Sequence, residues 1–430
     1  MAEDIEMRVS GRPRIKNCTI CRRNIWTIFK IFLLSLFVID LGYLFVEHRL
    51  KTYVFTYLSS TFASPSFFGD YDRCEEESWW FNFSGNASKS WQRIMKEEEE
   101  FPLAYTIMAF ERPDQVWRLL RAVYRPQNYY CIHFDRKSPE LLKKWLLRKI
   151  SACIPKEVAT NIFFIPSIAV YHSYMSVLEA DLACMRYLWK LPNKHFNSTA
   201  PPWKYLINLT GQEFPLKNNL ELTRILRILN NANLIQQERF FWVRRPWRPP
   251  PHGIKLHKGA VHIVVTWDFI NFLFTDKRVQ DYLDFLPEVG IPDEALFSTI
   301  NHNAMLDAPG NFPYGDRDYR NGGSYINRWK HFFPSECSGV WRHAVCIYDL
   351  YGMKPIFKPD SPYLFVNKFV MHINAKVLDV TERWFYDWQD WYYRHSNESI
   401  TDLDFYRNLP QVKYQLNRLP PPSNLERDLV

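Results

Sequence analysis

The residues Gly290–Ile300 read GIPDEALFSTI. Pro292 suits the first position of a helix, where its missing N–H is no loss and its fixed φ fits. Asp293 and Glu294 then fall in the first turn, ahead of an apolar face of Leu296, Phe297 and Ile300. A carboxylate there feels the positive end of the helix dipole, which favours its ionised form. An ionised, positioned carboxylate is what a general base requires. The plainer alternative is that acids in a first turn simply stabilise the helix, and the local sequence does not separate the two.

Other chemistry-bearing patterns are weaker. Asp316-Arg317-Asp318 matches the Asp-x-Asp pattern that can hold Mn²⁺ with a nucleotide sugar. It lies C-terminal to Glu294 in a Gly/Asn/Pro-rich stretch, not at a strand end, and reads as a loop feature. His252, His257 and His262 are spaced by five, a poor ligand pattern, so no metal site is expected. Arg239–Pro251, RFFWVRRPWRPPP, mixes arginines with aromatics, and its prolines exclude regular structure. Such a loop can grip single-stranded nucleic acid or stack on sugar rings, or it is simply solvated. No GxGxxG or GxxxxGK[ST] occurs, so any phosphate must be met by basic side chains or a metal.

Strands and helices alternate ahead of these residues. Leu103–Phe110, Tyr129–Asp135, Asn161–Ile165 and Lys204–Leu209 read as buried strands, with a further one at Val261–Val265. Helical spacing follows Arg112-Pro113-Asp114 and Ser138-Pro139, and recurs over Ser173–Trp189, Leu220–Leu229 and Trp267–Phe274, the last with Thr266 as its cap. The pattern predicts an α/β fold whose mostly parallel sheet has helices on both faces. Ligands gather at the carboxyl ends of such strands, which places Asp135 to meet one, although a strand-ending Asp also serves as a turn former.

At 430 residues, with abundant aromatics and few glycines, the chain is globular. Its net charge of +8 suits anionic ligands without deciding between nucleotides and nucleic acid. Ile25–Val46 spans roughly 33 Å as a helix, enough for a bilayer. Lys30 and Asp40 interrupt it near its ends, where they can snorkel. Arg8, Arg12, Arg14, Lys16, Arg22 and Arg23 crowd its N-terminal flank, and no small-residue cleavage site follows it. This predicts an uncleaved signal anchor with a cytoplasmic N-terminus. Cys18 and Cys21 then face the cytosol, as palmitoylation sites or free thiols. The six others form an even set in an oxidising lumen. Sequons at Asn82, Asn86, Asn197 and Asn397 fit that route. Asn17 would be cytosolic, and Asn208 sits inside a predicted strand. Residues 47–100 read as a stem whose Glu97–Glu100 run is a solvated helix end. A disulfide-permissive lumen also argues against a nucleic-acid partner.

Several blocks together resemble the core-2/I-branching β-1,6-N-acetylglucosaminyltransferase family. They are PLAYTIMAF and LLRAVYRPQNYYCIHFD within Pro102–Asp135, VLEADLACM at Val177–Met185, and KYLINLTGQEFPLK at Lys204–Lys217. PDEALFSTI at Pro292–Ile300, the frame from Cys337 to Tyr348, and LFVNKF at Leu364–Phe369 complete the order. The resemblance implies a GT-A-like luminal catalytic domain over 101–396, between the stem and a C-terminal tail at 397–430, with residues 1–24 as the cytoplasmic tail. It implies a type II Golgi membrane enzyme that works without a metal or cofactor.

By the same resemblance Glu294 is the catalytic base, and Met108, Asp135 and Tyr171 contact the nucleotide. Lys368 binds the diphosphate. The family's second diphosphate cation is an Arg where this chain has His343, with Arg342 beside it, so either residue is a candidate. Trp329 and His331 take the acceptor-side positions, His331 replacing a Tyr. The implied disulfides are Cys74–Cys153, Cys131–Cys184 and Cys337–Cys346; a fourth family bridge is lost because Val380 stands at one of its positions. The expected reaction is inverting transfer from UDP-GlcNAc to a glycan or glycoprotein acceptor. Protein xylosyltransferases share much of the frame, which leaves UDP-xylose as the alternative donor, and a catalytically inactive glycan-binding protein is the alternative of another class. Oligomeric state is not encoded legibly, and a homodimer stays open.

Overall fold

The computed structural model describes residues 89–417, except 157–158, 194–199, 238–245, 315–325, 332, 359 and 396–400. All of them belong to the compact unit Cys74–Val430. The chain enters through α1 (Lys89–Glu99), β1 (Leu103–Ala109), α2 (Pro113–Val123), β2 (Tyr129–Phe134) and α3 (Glu140–Cys153). It continues through β3 (Ile162–Phe164), α4 (Met175–Trp189), β4 (Tyr205–Thr210), β5 (Glu213–Pro215) and α5 (Asn219–Ile228). Next come β6 (Val264–Thr266), α6 (Trp267–Thr275), α7 (Lys277–Phe285), α8 (Pro292–His302) and β7 (Arg328–Trp329). The last elements are β8 (Val340–Arg342), β9 (Val345–Ile347), α9 (Leu350–Met353), β10 (Phe365–Asn367), α10 (Met371–Arg394), α11 (Leu403–Arg407) and α12 (Pro410–Asn417).

The main sheet has the order β3-β2-β1-β4-β6, parallel throughout except for β6. Alternate residues of each strand enter different cores, as the period-two geometry of a strand requires. Leu103, Tyr105 and Ile107 of β1 join Tyr130 and Ile132 of β2 and Ile207 and Leu209 of β4 in one cluster, under α2 and α5. Ala104, Cys131 and Leu206 face the other, which α4, α6, α7 and α8 close. Burial on both faces is why these strands read as continuous apolar runs. Thr106 and Asn208 are polar exceptions that both donate to the buried Asp181 of α4, at 2.5 and 2.9 Å. The Asn208 amide also donates to Val261 O and its carbonyl accepts from Ile263 N, so this sequon is consumed inside the fold.

Cap chemistry fixes the helices. Thr266 accepts from Phe269 N at 3.1 Å, as expected of a cap, and Asn218 forms a capping box with Glu221. Helix α2 is bound to α10 through Arg118, which pairs with Asp379 and Glu382. Two disulfides match the expected pairing: Cys131–Cys184 ties β2 to α4, and Cys337–Cys346 ties the approach of the β8–β9 hairpin to its second strand. Cys153 is also disulfide-bonded.

Residues assigned by sequence to stem and tail supply helices to this body. Ile94 of α1 is buried, and Tyr406, Leu409 and Val412 of the C-terminal segment enter the first core. The acidic run ends this helix as expected and is exposed at Glu99 and Glu100, but its first two residues are not solvated. Glu97 pairs with Arg224 at 2.9 Å, and Glu98 is buried, where it accepts from the Tyr393 hydroxyl. The expectations for the tail 1–24, the anchor 25–46, Cys74 and the sequons at Asn82, Asn86, Asn197 and Asn397 lie outside the described residues. Among the described residues no helix is long and apolar enough to cross a membrane.

A second sheet, β5-β10-β7, stands against the first. At its centre Arg328 Nε meets Glu213 Oε2 at 2.9 Å, with both side chains fully buried. Asn367 Nδ2 donates to the other Glu213 oxygen at 2.8 Å, and His262 Nδ1 lies 3.2 Å from it. The guanidinium also donates to the carbonyls of Asn327 and, across to β4, Asn208. Burial pushes Glu213 up while Arg328 and Asn367 pull against it. Arg328→Met would leave that carboxylate buried without its cation. It should lower unfolding free energy by about 3–5 kcal/mol, read as a drop in the urea midpoint, and an unchanged midpoint would refute the structural role given to the pair.

Candidate active site

The carboxyl ends of β1 and β2 gather the expected nucleotide contacts. Met108 pairs in register with His133, two residues before Asp135, and Asp135 N donates to Ala109 O at 2.9 Å. The Asp135 carboxylate accepts from Lys137 N at 2.8 Å, Lys137 Nζ at 2.6 Å and Val170 N at 3.4 Å. Burial alone would raise its pKa, but these donors hold it below the usual carboxylate range. Lys137 Nζ also lies 4.5 Å from the centre of the exposed Tyr171 ring. Asp135 therefore forms a turn, as its alternative reading had it, and that turn holds the loop bearing Tyr171 beside it. His133 accepts from Ile168 N at 2.8 Å, and burial lowers its pKa to about 4, so it is neutral at pH 7.

The expected diphosphate cations also come together. Lys368 follows β10, is half-buried, and has its pKa lowered by that burial and by the charge of Arg342, with Glu111 opposing. Glu111 lies two residues past β1 and accepts from Gln212, so Lys368 faces the same mouth as Met108. Arg342 and His343 do not sit on opposite faces of one strand. Arg342 is the last residue of β8, whereas His343 and Ala344 form the two-residue tip of the β8–β9 hairpin, with φ of 52° and 57°. Two left-handed residues match the twist of a tight hairpin, and they put His343 at an exposed tip. Of the two, the cation whose charge reaches Lys368 is Arg342.

Trp329 and His331 form an aromatic cluster with ring centres 4.9 Å apart, extended by Tyr363 and Tyr348. Trp329 Nε1 and His331 Nδ1 are buried without a hydrogen-bond partner. Burial lowers the His331 pKa, so a neutral ring faces this side. Tyr348 N donates to Lys368 O at 3.4 Å, which sets the cluster beside the cation pair.

Glu294 stands in the first turn of α8, as its sequence predicts, with Pro292 at the helix start and Ile291 left-handed before it. Its carboxylate is part exposed and lies 3.2 Å from Lys258 Nζ. Asp293 has one oxygen buried without a partner. Burial and the neighbouring Glu294 charge push its pKa up to about 6, with His172 opposing. His172 adjoins Tyr171, so this helix start borders the nucleotide-side loop. Lys137, His172 and Lys258 are the polar groups that sequence reasoning missed. His172 and Lys258 act on partners distant in sequence, and Lys137, two residues from Asp135, also reaches the Tyr171 ring across the loop; spacing gives no sign of these contacts.

The three histidines go separate ways, His252 to Asp281, His257 to Gln237 and His262 to Glu213. Among the described residues no group of three or more His, Cys, Asp or Glu assembles as metal ligands. Asp316 and Asp318 lie outside them, as does most of the Arg239–Pro251 loop. Of that loop, Trp247 is almost wholly exposed and Arg248 pairs with Glu288.

The family model described as Core-2/I-Branching enzyme matches residues 103–318. The chain belongs to the core-2/I-branching enzyme family. It is 29% identical over 321 residues to a β-1,3-galactosyl-O-glycosyl-glycoprotein β-1,6-N-acetylglucosaminyltransferase 3 from Mus musculus, covering 68% of this chain and 69% of the relative. A type 4 transferase from Danio rerio is 28% identical, covering 67% and 71%, and a transferase of the same name without a type number, from Bovine herpesvirus 4, is 28% identical, covering 68% and 69%. The core-2/I-branching match contains Met108, Asp135, Tyr171 and Glu294. Trp329, His331, Arg342 and Lys368 lie beyond its end.

Asp293 has a folded pKa of about 6, above the ordinary 3.8. Its ionisation therefore opposes folding, fully above the folded pKa and not at all below the unfolded one. Asp293→Asn should raise Tm at pH 8 and change it much less at pH 4. An equal shift at both pH values would show that the carboxyl is not strained by ionisation.

Proposed function

We propose that this glycosyltransferase moves N-acetylglucosamine from UDP-GlcNAc to a hydroxyl of an O-linked or related glycan, forming a β-1,6 branch with inversion. The observation that carries the reading is the placement of Glu294. It is a part-exposed carboxylate at a helix start, bordering the loop that presents Tyr171 and His172. The acceptor oxygen attacks the anomeric carbon as the bond from that carbon to the UDP oxygen breaks, and Glu294 takes the acceptor proton.

The leaving diphosphate takes the bonding electrons and meets Lys368 and Arg342. Burial and the charge of Arg342 lower the Lys368 pKa, and an anion between the two cations relieves their repulsion. Met108, Asp135 and Tyr171 would hold the nucleoside, and Trp329 with His331 would face the acceptor. With two side-chain cations in that place, we propose that the reaction proceeds without a metal. The arginine-rich flank of the apolar 25–46 segment supports a type II Golgi membrane location.

Glu294→Gln in the detergent-solubilised full chain should lower transfer from UDP-GlcNAc by about 10²–10⁴-fold while UDP affinity stays within a few-fold. Near-native transfer by this variant would remove the base. In the same assay UDP-GlcNAc should outperform UDP-xylose, and EDTA should leave the rate intact. A preference for UDP-xylose would overturn the donor, and strict Mn²⁺ dependence would return attention to Asp316 and Asp318.

A further inference from the structure

The segment 255–259 runs extended beside α8 and is bonded to it at every second residue. Lys255 N donates to Asn303 Oδ1 at 2.9 Å, His257 N to Thr299 Oγ1 at 2.9 Å, and Gly259 N to Glu294 O at 2.9 Å. Asn303 and Thr299 donate back to the carbonyls of Lys255 and His257. The two periods fit: two extended residues advance about 6.6 Å, and four to five helical residues about 6–7.5 Å. Gly259 is required at the end of this ladder. A Cβ there would stand 1.9 Å from the Gln236 carbonyl oxygen.

Between two of these rungs, Lys258 carries its ammonium to 3.2 Å from Glu294 Oε2, with only 16% of its side chain exposed. The ladder already holds the segment through backbone and neutral side chains, so the ion pair is not what fastens it. The charges facing the pair are Asp293 on the same helix and His172 on the loop after β3. Of the two carboxylates, Lys258 is in direct contact with Glu294.

We propose that Lys258 is a positioning residue for the transfer reaction: it offsets the Asp293–Glu294 pair and anchors one oxygen of Glu294, leaving the other for the acceptor hydroxyl. This rests on the reading of Glu294 as the base. In that arrangement the acceptor proton passes to the oxygen that Lys258 does not hold. The ammonium stays protonated throughout and exchanges no proton with the sugar.

The test compares Lys258→Met, Lys258→Arg, Lys258→Met/Asp293→Asn and Glu294→Gln in the full chain, with UDP affinity measured on each sample to establish folding. Lys258→Met should lower kcat about 10- to 100-fold with the KM for UDP-GlcNAc within about threefold, as for a misplaced catalytic group. Lys258→Arg should recover most of that loss. The double variant should exceed Lys258→Met, because the like-charged neighbour of Glu294 is gone. If Glu294→Gln is inactive while Lys258→Met keeps native kcat, or if Lys258→Arg is no better than Lys258→Met, the role given to Lys258 is overturned and the base stands. If Glu294→Gln transfers normally, the base reading fails and the inference falls with it.

Discussion

The Glu213–Arg328 pair is the constraint on which both binding sides depend. Taking two charges out of water costs several kcal/mol for each, and their attraction offsets this only where the remaining polar atoms are satisfied. Here Asn367, His262 and the carbonyls of Asn327 and Asn208 supply those partners. The pair thereby locks β5, β7, β10 and the end of β4 into one register. Its neighbours then fall into place, because successive residues on a strand face opposite ways. Trp329 comes one residue after Arg328, and Lys368 one residue after Asn367. The expected acceptor aromatic and the expected diphosphate cation are thus set from one buried centre.

The acid side is built differently. Glu294 sits on a helix joined to the 255–259 segment by a ladder of neutral hydrogen bonds in matching periods, with the Lys258–Glu294 ion pair beside it. Such a surface fixes distance along the helix axis closely and leaves the carboxylate tip to local charges. This is where Asp293, Lys258 and His172 enter. The arrangement separates framework from electrostatics: one set of residues decides where Glu294 stands, and another its surroundings.

Much of this was legible in the sequence, for identifiable reasons. Strands β1, β2 and β4 are buried on both faces and advertise themselves as apolar runs, and Pro292 announced its helix. The two- and three-residue strands β5, β7 and β10 are too short to show a period, so the second sheet was not visible as such. His343 aligned with the family arginine by counting from Cys346, but the hairpin tip moves that residue out of the strand and leaves Arg342 as the strand residue. Glu97 and Glu98 looked solvated because their partners, Arg224 and Tyr393, lie more than a hundred residues away. Lys258 meets its partner 36 positions later through a contact that only Gly259 permits.

Asn208 carries a consequence of another kind. Its side chain spends both amide hydrogens and its carbonyl on Asp181, Val261 and Ile263. Sequon modification acts on the amide nitrogen of an unfolded, accessible chain. An oligosaccharide attached here would replace an amide hydrogen by a bulky group in the middle of β4 and bar the strand from its sheet. Closure of β4 into its sheet therefore requires an Asn208 that carries no sugar.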